Sequence, residues 1–215
     1  MWLKLKRLLK KYRKAIVLFV FFVLFLLILR DVFSDEIIYY DNWAHDILVK
    51  DLRGDTLTFI MKVITNFGSA FVLIPLSLSM FLFFKNKKYG ISVSLNLIII
   101  TLINLTLKFI IQRPRPSGFN IIEEMGYSFP SGHSMVSTAF YGFLIYLIYK
   151  NVKKRSLKIA LCSLFFILII FICISRVYLG VHYASDVIGG FCVSVSYLML
   201  FVSITPKFLN IIDKE

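Results

Sequence analysis

The sequence predicts an all-α integral membrane protein, built as a bundle of six transmembrane helices. Its 215 residues are 59% hydrophobic and only 17% charged, and the mean hydropathy is +0.81. A soluble domain of this length does not need so much apolar surface. Six apolar runs of about 15 to 25 residues follow one another, and each is long enough to cross a hydrocarbon core of ~30 Å.

The six predicted spans form one membrane domain over residues 15–215. We expect them at about 15–33, 56–84, 89–111, 131–149, 159–175 and 183–205. A basic tail over residues 1–14 precedes them, and its leucines favour an amphipathic helix on anionic lipid. No small-residue cleavage site follows the first run, so we expect it to stay as an uncleaved span. Pro75 is expected to kink the second span.

The distribution of charge predicts the orientation and excludes one class of partner. The net charge is +13, but the basic residues cluster in short segments between apolar runs, as membrane orientation signals do. This pattern argues against nucleic acid as a partner. Six spans place both termini and two basic turns on one side, and this side holds most of the Lys and Arg residues. We therefore expect a plasma-membrane protein with cytoplasmic termini.

Two connecting segments are expected on the other, extracytoplasmic side. Residues 34–55 combine acidic side chains with aromatic ones, a composition typical of a helix at the level of the lipid headgroups. Residues 112–130 form a loop broken by proline and glycine, and its apolar side chains could gate access from the membrane. Glu123 and Glu124 in this loop are interpreted as solvated, with contact to a headgroup as the alternative.

Three polar clusters lie where apolar runs meet loops, and six spans place all three on the extracytoplasmic face. They are Lys108 with Arg115-Pro116, then Pro130-Ser131-Gly132-His133, then Ser175-Arg176 with His182 and Asp186. Ionisable residues next to membrane-buried segments are costly, and they usually mark a functional site. The alternative for the cations is snorkelling to the membrane edge. For the tetrapeptide it is an ordinary capped helix with an interfacial histidine.

The residue types in these clusters suit phosphate chemistry. Three cations match an oxyanion, and two histidines can supply a nucleophile and a proton donor near neutral pH. His182 and Asp186 are four residues apart and share a helix face, so the carboxylate can orient the imidazole. Ser131 is a good N-cap, and Gly132 lets an anion approach a helix N-terminus. Arg113 is a nearby competitor for the phosphate.

The order and spacing of these clusters resemble the three signatures of the type 2 phosphatidic acid phosphatase superfamily, which also includes vanadium-dependent haloperoxidases. Within it, the architecture is similar to that of bacterial phosphatidylglycerophosphatase B-like and undecaprenyl pyrophosphate phosphatases. The resemblance implies that His182 attacks phosphorus and becomes a phosphohistidine, that Asp186 orients it, and that His133 is the general acid and then the base. It also implies a phosphate cradle made of Lys108, Arg115, Arg176 and the Ser131-Gly132 segment. No metal or other cofactor is implied, because the cations take the place of magnesium.

The predicted function is therefore a metal-independent lipid phosphatase in a bacterial plasma membrane. Candidate substrates are phosphatidylglycerophosphate, phosphatidate and undecaprenyl pyrophosphate, and the sequence does not rank monophosphates against pyrophosphates. One alternative is a lipid phosphotransferase, in which a second lipid takes the phosphoryl group from His182. Another is a non-catalytic phospholipid-binding membrane protein. The oligomeric state stays open.

Overall fold

The computed structural model describes residues 2–34, 39–83 and 86–208, and every regular element within these ranges is helical. The α-helices are α1 Trp2–Phe33, α2 Tyr39–His45, α3 Asp55–Asn66, α4 Ala70–Phe83, α5 Lys88–Ile111, α6 Gly132–Asn151, α7 Arg155–Tyr178 and α8 Ala184–Phe208. A π-helical segment, Asp46–Asp51, continues α2. The predicted all-α class is confirmed for the described residues.

Several of these helices are long and apolar enough to cross a membrane. Among the described residues, four meet both conditions by length and composition: Lys11–Phe33, Lys87–Ile111, Arg155–Tyr178 and Ala184–Thr205. The pair α3 and α4 meets them together, with a bend of 43° between its two halves. Helix α6 is not in this set, so the six-span arrangement stays a prediction. The chain is a multi-pass membrane protein.

The second predicted span is broken at a different place from the one expected. Pro75 lies inside α4, and the bend falls at residues 67–69, between α3 and α4. Gly68 lies at this bend and is closely packed, because a Cβ there would come within 2.7 Å of Ser137 Oγ and 3.1 Å of His133 Cδ2. Only glycine allows α6 to approach the chain so closely at this point.

The segment predicted to form an interfacial helix contains the short helix α2, one face of which is buried. Tyr39 and Trp43 are exposed, at 83% and 58%, whereas Asp41 is only 5% exposed. Residues 35–38 lie outside the described residues. The predicted basic tail continues directly into the first span as one helix, α1, and the side chains of residues 3–10 are not described. The predicted amphipathic contact of that tail with lipid is therefore untested.

Helix α6 lies at the centre of the bundle and packs against α5, α7 and α8, while α1 runs along α8. Its buried aromatic residues Phe140, Tyr141 and Phe143 belong to the largest apolar core. The carboxyl ends of α5 and α7 and the amino ends of α6 and α8 meet at one end of the bundle, where Asn104 of α5 donates to the Pro130 carbonyl (3.1 Å) just before α6. This convergence brings the three polar clusters together.

Candidate active site

A cavity of about 380 Å³ opens at this end of the bundle, and polar residues from three helix ends line it. Five of the predicted site residues contribute to its wall: Lys108, Arg115, Gly132, His133 and His182. Arg176, Asp186 and Ser131 lie behind these residues and are fully buried. The structure therefore brings the three clusters into one site.

The His182 ring lies between the carboxylate of Asp186 and the guanidinium of Arg115. Its Nδ1 lies 3.3 Å from Asp186 Oδ2, and its Nε2 lies 3.2 Å from Arg115 Nη1. A guanidinium can only donate, so Nε2 accepts and Nδ1 holds the proton that points at Asp186. Burial lowers the pKa of His182 to about 4, against the opposing influence of Asp186. The imidazole is therefore neutral near pH 7, its Nε2 lone pair accepts from Arg115, and the residue lines the cavity.

Arg115 links this histidine to the loop that covers the site. Its Nη1 donates to the Val181 carbonyl (2.9 Å), its Nε to the Gly126 carbonyl (2.9 Å), and its Nη2 to the Met125 carbonyl (3.0 Å). These bonds orient the planar group in the cavity wall. Its donors can face an oxyanion once the loop carbonyls move aside.

Glu124 lies between two of the predicted phosphate-binding cations. One carboxylate oxygen binds Arg176 Nη2, and the other is 3.8 Å from Arg115 Nη2. Burial by itself raises the pKa of Glu124, but the charge of Arg176 outweighs this and lowers that pKa below its usual range. The prediction that this loop acid is solvated was wrong for Glu124. It was wrong because the sequence did not show that the loop folds back over the arginines.

The other cradle residues take up distinct positions. Lys108 Nζ donates to the carbonyls of Tyr127 and, at 3.5 Å, Ser128. A Cβ at Gly132 would come within 3.1 Å of Asn104 Oδ1, so glycine keeps this part of the wall open. Ser131 occupies the N-cap position of α6, but its hydroxyl does not cap the helix. That hydroxyl instead accepts a hydrogen bond from Ser134 (3.1 Å) and does not line the cavity.

Sequence reasoning missed several residues that complete the site. Arg113, predicted as a competitor for phosphate, donates to Asp186 Oδ1 at 2.6 Å instead. Ser128 donates to the other oxygen of Asp186, and Thr65 accepts from Arg176 Nη1 at 2.6 Å. For Ser128 the sequence offered a weak signal, its position in the loop directly before the Phe129-Pro130 pair. Thr65 is far from the clusters in sequence, and nothing in the local pattern indicates its contact.

These contacts define the class of protein. A neutral histidine is oriented by a carboxylate beside a set of cations, and the whole site is held at one end of a membrane-embedded helical bundle. Such a site suits transfer of a phosphoryl group through an attacking imidazole nitrogen.

Comparison with known proteins gives the family. The sequence profile of the PAP2 superfamily matches residues 89–209, more than half of the chain. The chain is 33% identical over 158 residues to phosphatidylglycerophosphatase B of Bacillus subtilis (strain 168), covering 70% of this chain and 75% of that protein. It is 26% identical over 160 residues to an undecaprenyl-diphosphatase of Sulfolobus acidocaldarius, covering 70% and 72%.

A solved structure agrees with this assignment. The crystal structure of a transmembrane PAP2-type phosphatidylglycerolphosphate phosphatase from Bacillus subtilis aligns with a TM-score of 0.80 at 29% identity, covering 91% of this chain and 97% of that one. The chain belongs to the PAP2 superfamily, as the three signatures predicted, and it is a phosphatase.

Proposed function

We propose that this protein hydrolyses the terminal phosphomonoester of a membrane lipid through a phosphohistidine, with phosphatidylglycerophosphate as the first candidate. The observation that supports this most directly is the position of His182, which lines the cavity, has its Nδ1 3.3 Å from Asp186 Oδ2 and has its Nε2 3.2 Å from Arg115 Nη1. The relative with 33% identity and the solved structure with a TM-score of 0.80 both have names that specify phosphatidylglycerophosphate. The other two candidates, phosphatidate and undecaprenyl pyrophosphate, are tested beside it.

In the first step, Arg115 Nη1 turns from Nε2 of His182 to a phosphoryl oxygen, and the freed Nε2 forms a bond to phosphorus while the bond from phosphorus to the lipid oxygen breaks. Arg115, Arg176 and Lys108 stabilise the negative charge on the phosphoryl oxygens as the group transfers. His133 lines the same cavity and gives its proton to the departing lipid oxygen. Asp186 accepts the Nδ1 proton of His182 in a hydrogen bond and stabilises the charge that develops on the imidazole.

In the second step, water attacks the phosphohistidine. His133, now neutral, takes a proton from this water, the nitrogen–phosphorus bond breaks, and inorganic phosphate leaves. His182 and His133 return to their starting states. The step needs no metal ion in this scheme, because the guanidinium and ammonium groups supply the positive charge.

The surroundings of the cavity support a lipid substrate. Leu105 and Phe109 of α5 line it beside Lys108, and both are largely exposed on the outer face of that helix, at 57% and 73%. An acyl chain can lie against these residues while its phosphate reaches the cations. A soluble phosphate ester would gain nothing from this apolar face.

We also propose the predicted topology of six spans, with both termini cytoplasmic and the site extracytoplasmic. Met125 in the loop above the cavity is 95% exposed and offers a test. In a Met125→Cys variant, the new thiol should react in intact cells with a label that cannot cross the membrane. Reaction only after the cells are opened would place the site on the cytoplasmic side.

The activity is tested by phosphate release from the three candidate lipids in mixed micelles, with and without EDTA. We expect release in both conditions and the highest kcat/KM for phosphatidylglycerophosphate. The His182→Ala variant should lose at least about 10⁴-fold in kcat, as when a covalent nucleophile is removed. His45→Ala changes another of the three histidines of the chain and serves as the matched control. Release that EDTA stops and magnesium restores would contradict the scheme, and so would full activity of His182→Ala.

A further inference from the structure

Arg113 is bound between two buried carboxylates at the back of the site. Its Nη1 lies 2.6 Å from Asp186 Oδ1, and its Nη2 lies 3.0 Å from Asp41 Oδ2. The side chains of Arg113, Asp186 and Asp41 are 14%, 0% and 3% exposed. One face of the guanidinium packs over the ring of Tyr183, with 4.2 Å between the guanidinium carbon and the ring centroid. These contacts therefore restrict the position of the Arg113 side chain.

The two oxygens of Asp186 have separate partners. Oδ1 accepts from Arg113, whereas Oδ2 faces His182 Nδ1 at 3.3 Å and accepts from Ser128 and from the Tyr183 amide (2.9 Å). The bond from Arg113 thus fixes which oxygen is presented to the imidazole. If that bond is lost, the carboxylate can rotate or take up a proton, because a buried carboxylate that loses its salt bridge is less stable as an anion.

Asp41 fixes Arg113 in turn. Its Oδ1 accepts from the Ser185 amide (2.7 Å), and its Oδ2 accepts from the Ser185 hydroxyl (2.6 Å) and from Arg113. Helix α2 is thereby attached to the start of α8, one residue before Asp186. Asp41 is distant from the three signatures in sequence, and only the fold brings it to them.

We propose that Arg113 and Asp41 are positioning residues for phosphoryl transfer, which keep the Asp186 carboxylate ionised and directed at His182. This inference rests on the proposed function. Nη1 and Nη2 of Arg113 already bind Ser185, Asp186 and Asp41, and Asp41 lines a different cavity, which contains His182 but not His133. We therefore expect neither Arg113 nor Asp41 to touch a phosphate bound between the two histidines. Their effect should appear in the chemical step and not in substrate binding.

The first experiment compares steady-state kinetics of the wild type and Arg113→Gln. We expect kcat to fall by roughly 10- to 100-fold, the range for residues that orient a reacting group through a hydrogen bond, with KM within about two-fold. Arg113→Lys should have an intermediate kcat, because an ammonium can still bind Asp186 but cannot hold both carboxylates in one plane. The matched control is Arg30→Gln, which removes an arginine from an exposed pair with Asp31. A raised KM with unchanged kcat in Arg113→Gln would mean that Arg113 binds substrate and would overturn the inference.

A double-mutant cycle tests whether Arg113 acts through Asp186. In the Asp186→Asn background, measured by single-turnover release of labelled phosphate, adding Arg113→Gln should change the rate by less than about three-fold. A loss as large as in the wild-type background would show that the two residues act independently, which would also overturn the inference.

Two further measurements distinguish a variant that fails to fold from an inference that is wrong. If Arg113→Gln does not fold, Asp41→Asn is nearly isosteric and is judged by the same criterion, a lower kcat at unchanged KM. Wild-type phosphate release and its loss in His182→Ala are measured first. A wild type without activity would disprove the proposed function, whereas an active wild type together with a fully active Arg113→Gln would disprove only this inference.

Discussion

The two sides of His182 are built in opposite ways. On the Nδ1 side, Asp186 is fully buried and its partners are fixed parts of the fold, among them Arg113 at 2.6 Å. On the Nε2 side, each cation binds at least one group of a single loop, among them the Glu124 carboxylate, and Met125 of that loop is 95% exposed.

Under the proposed function, this difference separates a permanent part of the site from a part that exchanges partners. Buried charges need compensation at all times, so cations proposed to bind a substrate anion need another anion while the site is free. Glu124 meets that need in this structure. On the Nδ1 side no substrate anion is expected to bind, so the charges there keep the same partners.

Removing one cation from the exchanging side should have a large effect. In Arg176→Gln we expect kcat to fall by about 10² to 10³-fold, as when a single donor that stabilises transition-state charge is lost. Phosphate release under saturating lipid measures this. Thr65→Val is the matched control, because it removes only the acceptor of the 2.6 Å bond from Arg176 and leaves the charge.

The loss in Arg176→Gln could also arise from leaving Glu124 without its partner. The double variant Arg176→Gln/Glu124→Gln separates these causes, since it removes both charges. We expect it to be as impaired as Arg176→Gln. Recovery of activity in the double variant would show that the unpaired carboxylate, and not the missing cation, caused the defect.

Neutralising Glu124, the anion paired with these cations, should have a moderate effect and should strengthen the binding of phosphate. Glu124→Gln removes the charge that competes with phosphate for Arg176 and Arg115, so inorganic phosphate should inhibit roughly five-fold more strongly, equivalent to ~1 kcal/mol. The inhibition constant for phosphate measures this. Glu123→Gln changes the neighbouring exposed acid and is the control. Weaker inhibition in Glu124→Gln would mean that the carboxylate holds the arginines in place and does not compete with phosphate.

The smallest expected effect is that of mild acid on the protonation of His182. Because burial lowers the pKa of His182 to about 4, the imidazole stays unprotonated as pH falls from neutral, and it is lost as a nucleophile only near about pH 4. At about pH 5.5 only a few per cent should be protonated, whereas a histidine with the ordinary pKa of about 6.5 would be ~90% protonated. The measurement is kcat/KM against pH, corrected for the second ionisation of the substrate near pH 6. A ten-fold loss by about pH 5.5 would contradict the buried, neutral state of His182.

Much of the site was predictable because its residues lie at helix ends that the apolar pattern locates. The four-residue spacing of His182 and Asp186 indicates their contact, which the structure shows at 3.3 Å. The position of Ser131 at the start of α6 was also predictable, since Pro130 ends the loop there. The bend of the second span was not, because Gly68 is required only by the approach of Ser137 and His133 from another helix.

Local sequence could not reveal partners that come from distant segments. Arg113 and Arg115 are two residues apart and chemically identical, yet one contacts the back of Asp186 and the other contacts Nε2 of His182. Their assignment depends on the path of the chain after α5, which turns at Gln112 with a left-handed backbone conformation (φ 52°). In the sequence, Asp41 and Glu124 likewise resemble surface acids, whereas in the fold both bind arginines.

The order of residues was enough to predict a helical membrane protein, the phosphatase family and the residues that meet at one end of the bundle. Apolar run length and short signature spacings encode these features locally. The pairing of charges became clear from the fold, because ion pairing among buried groups depends on distances between segments far apart in the chain. The same physical reason explains why the fixed and exchanging sides of His182 could not be told apart from the order of residues alone.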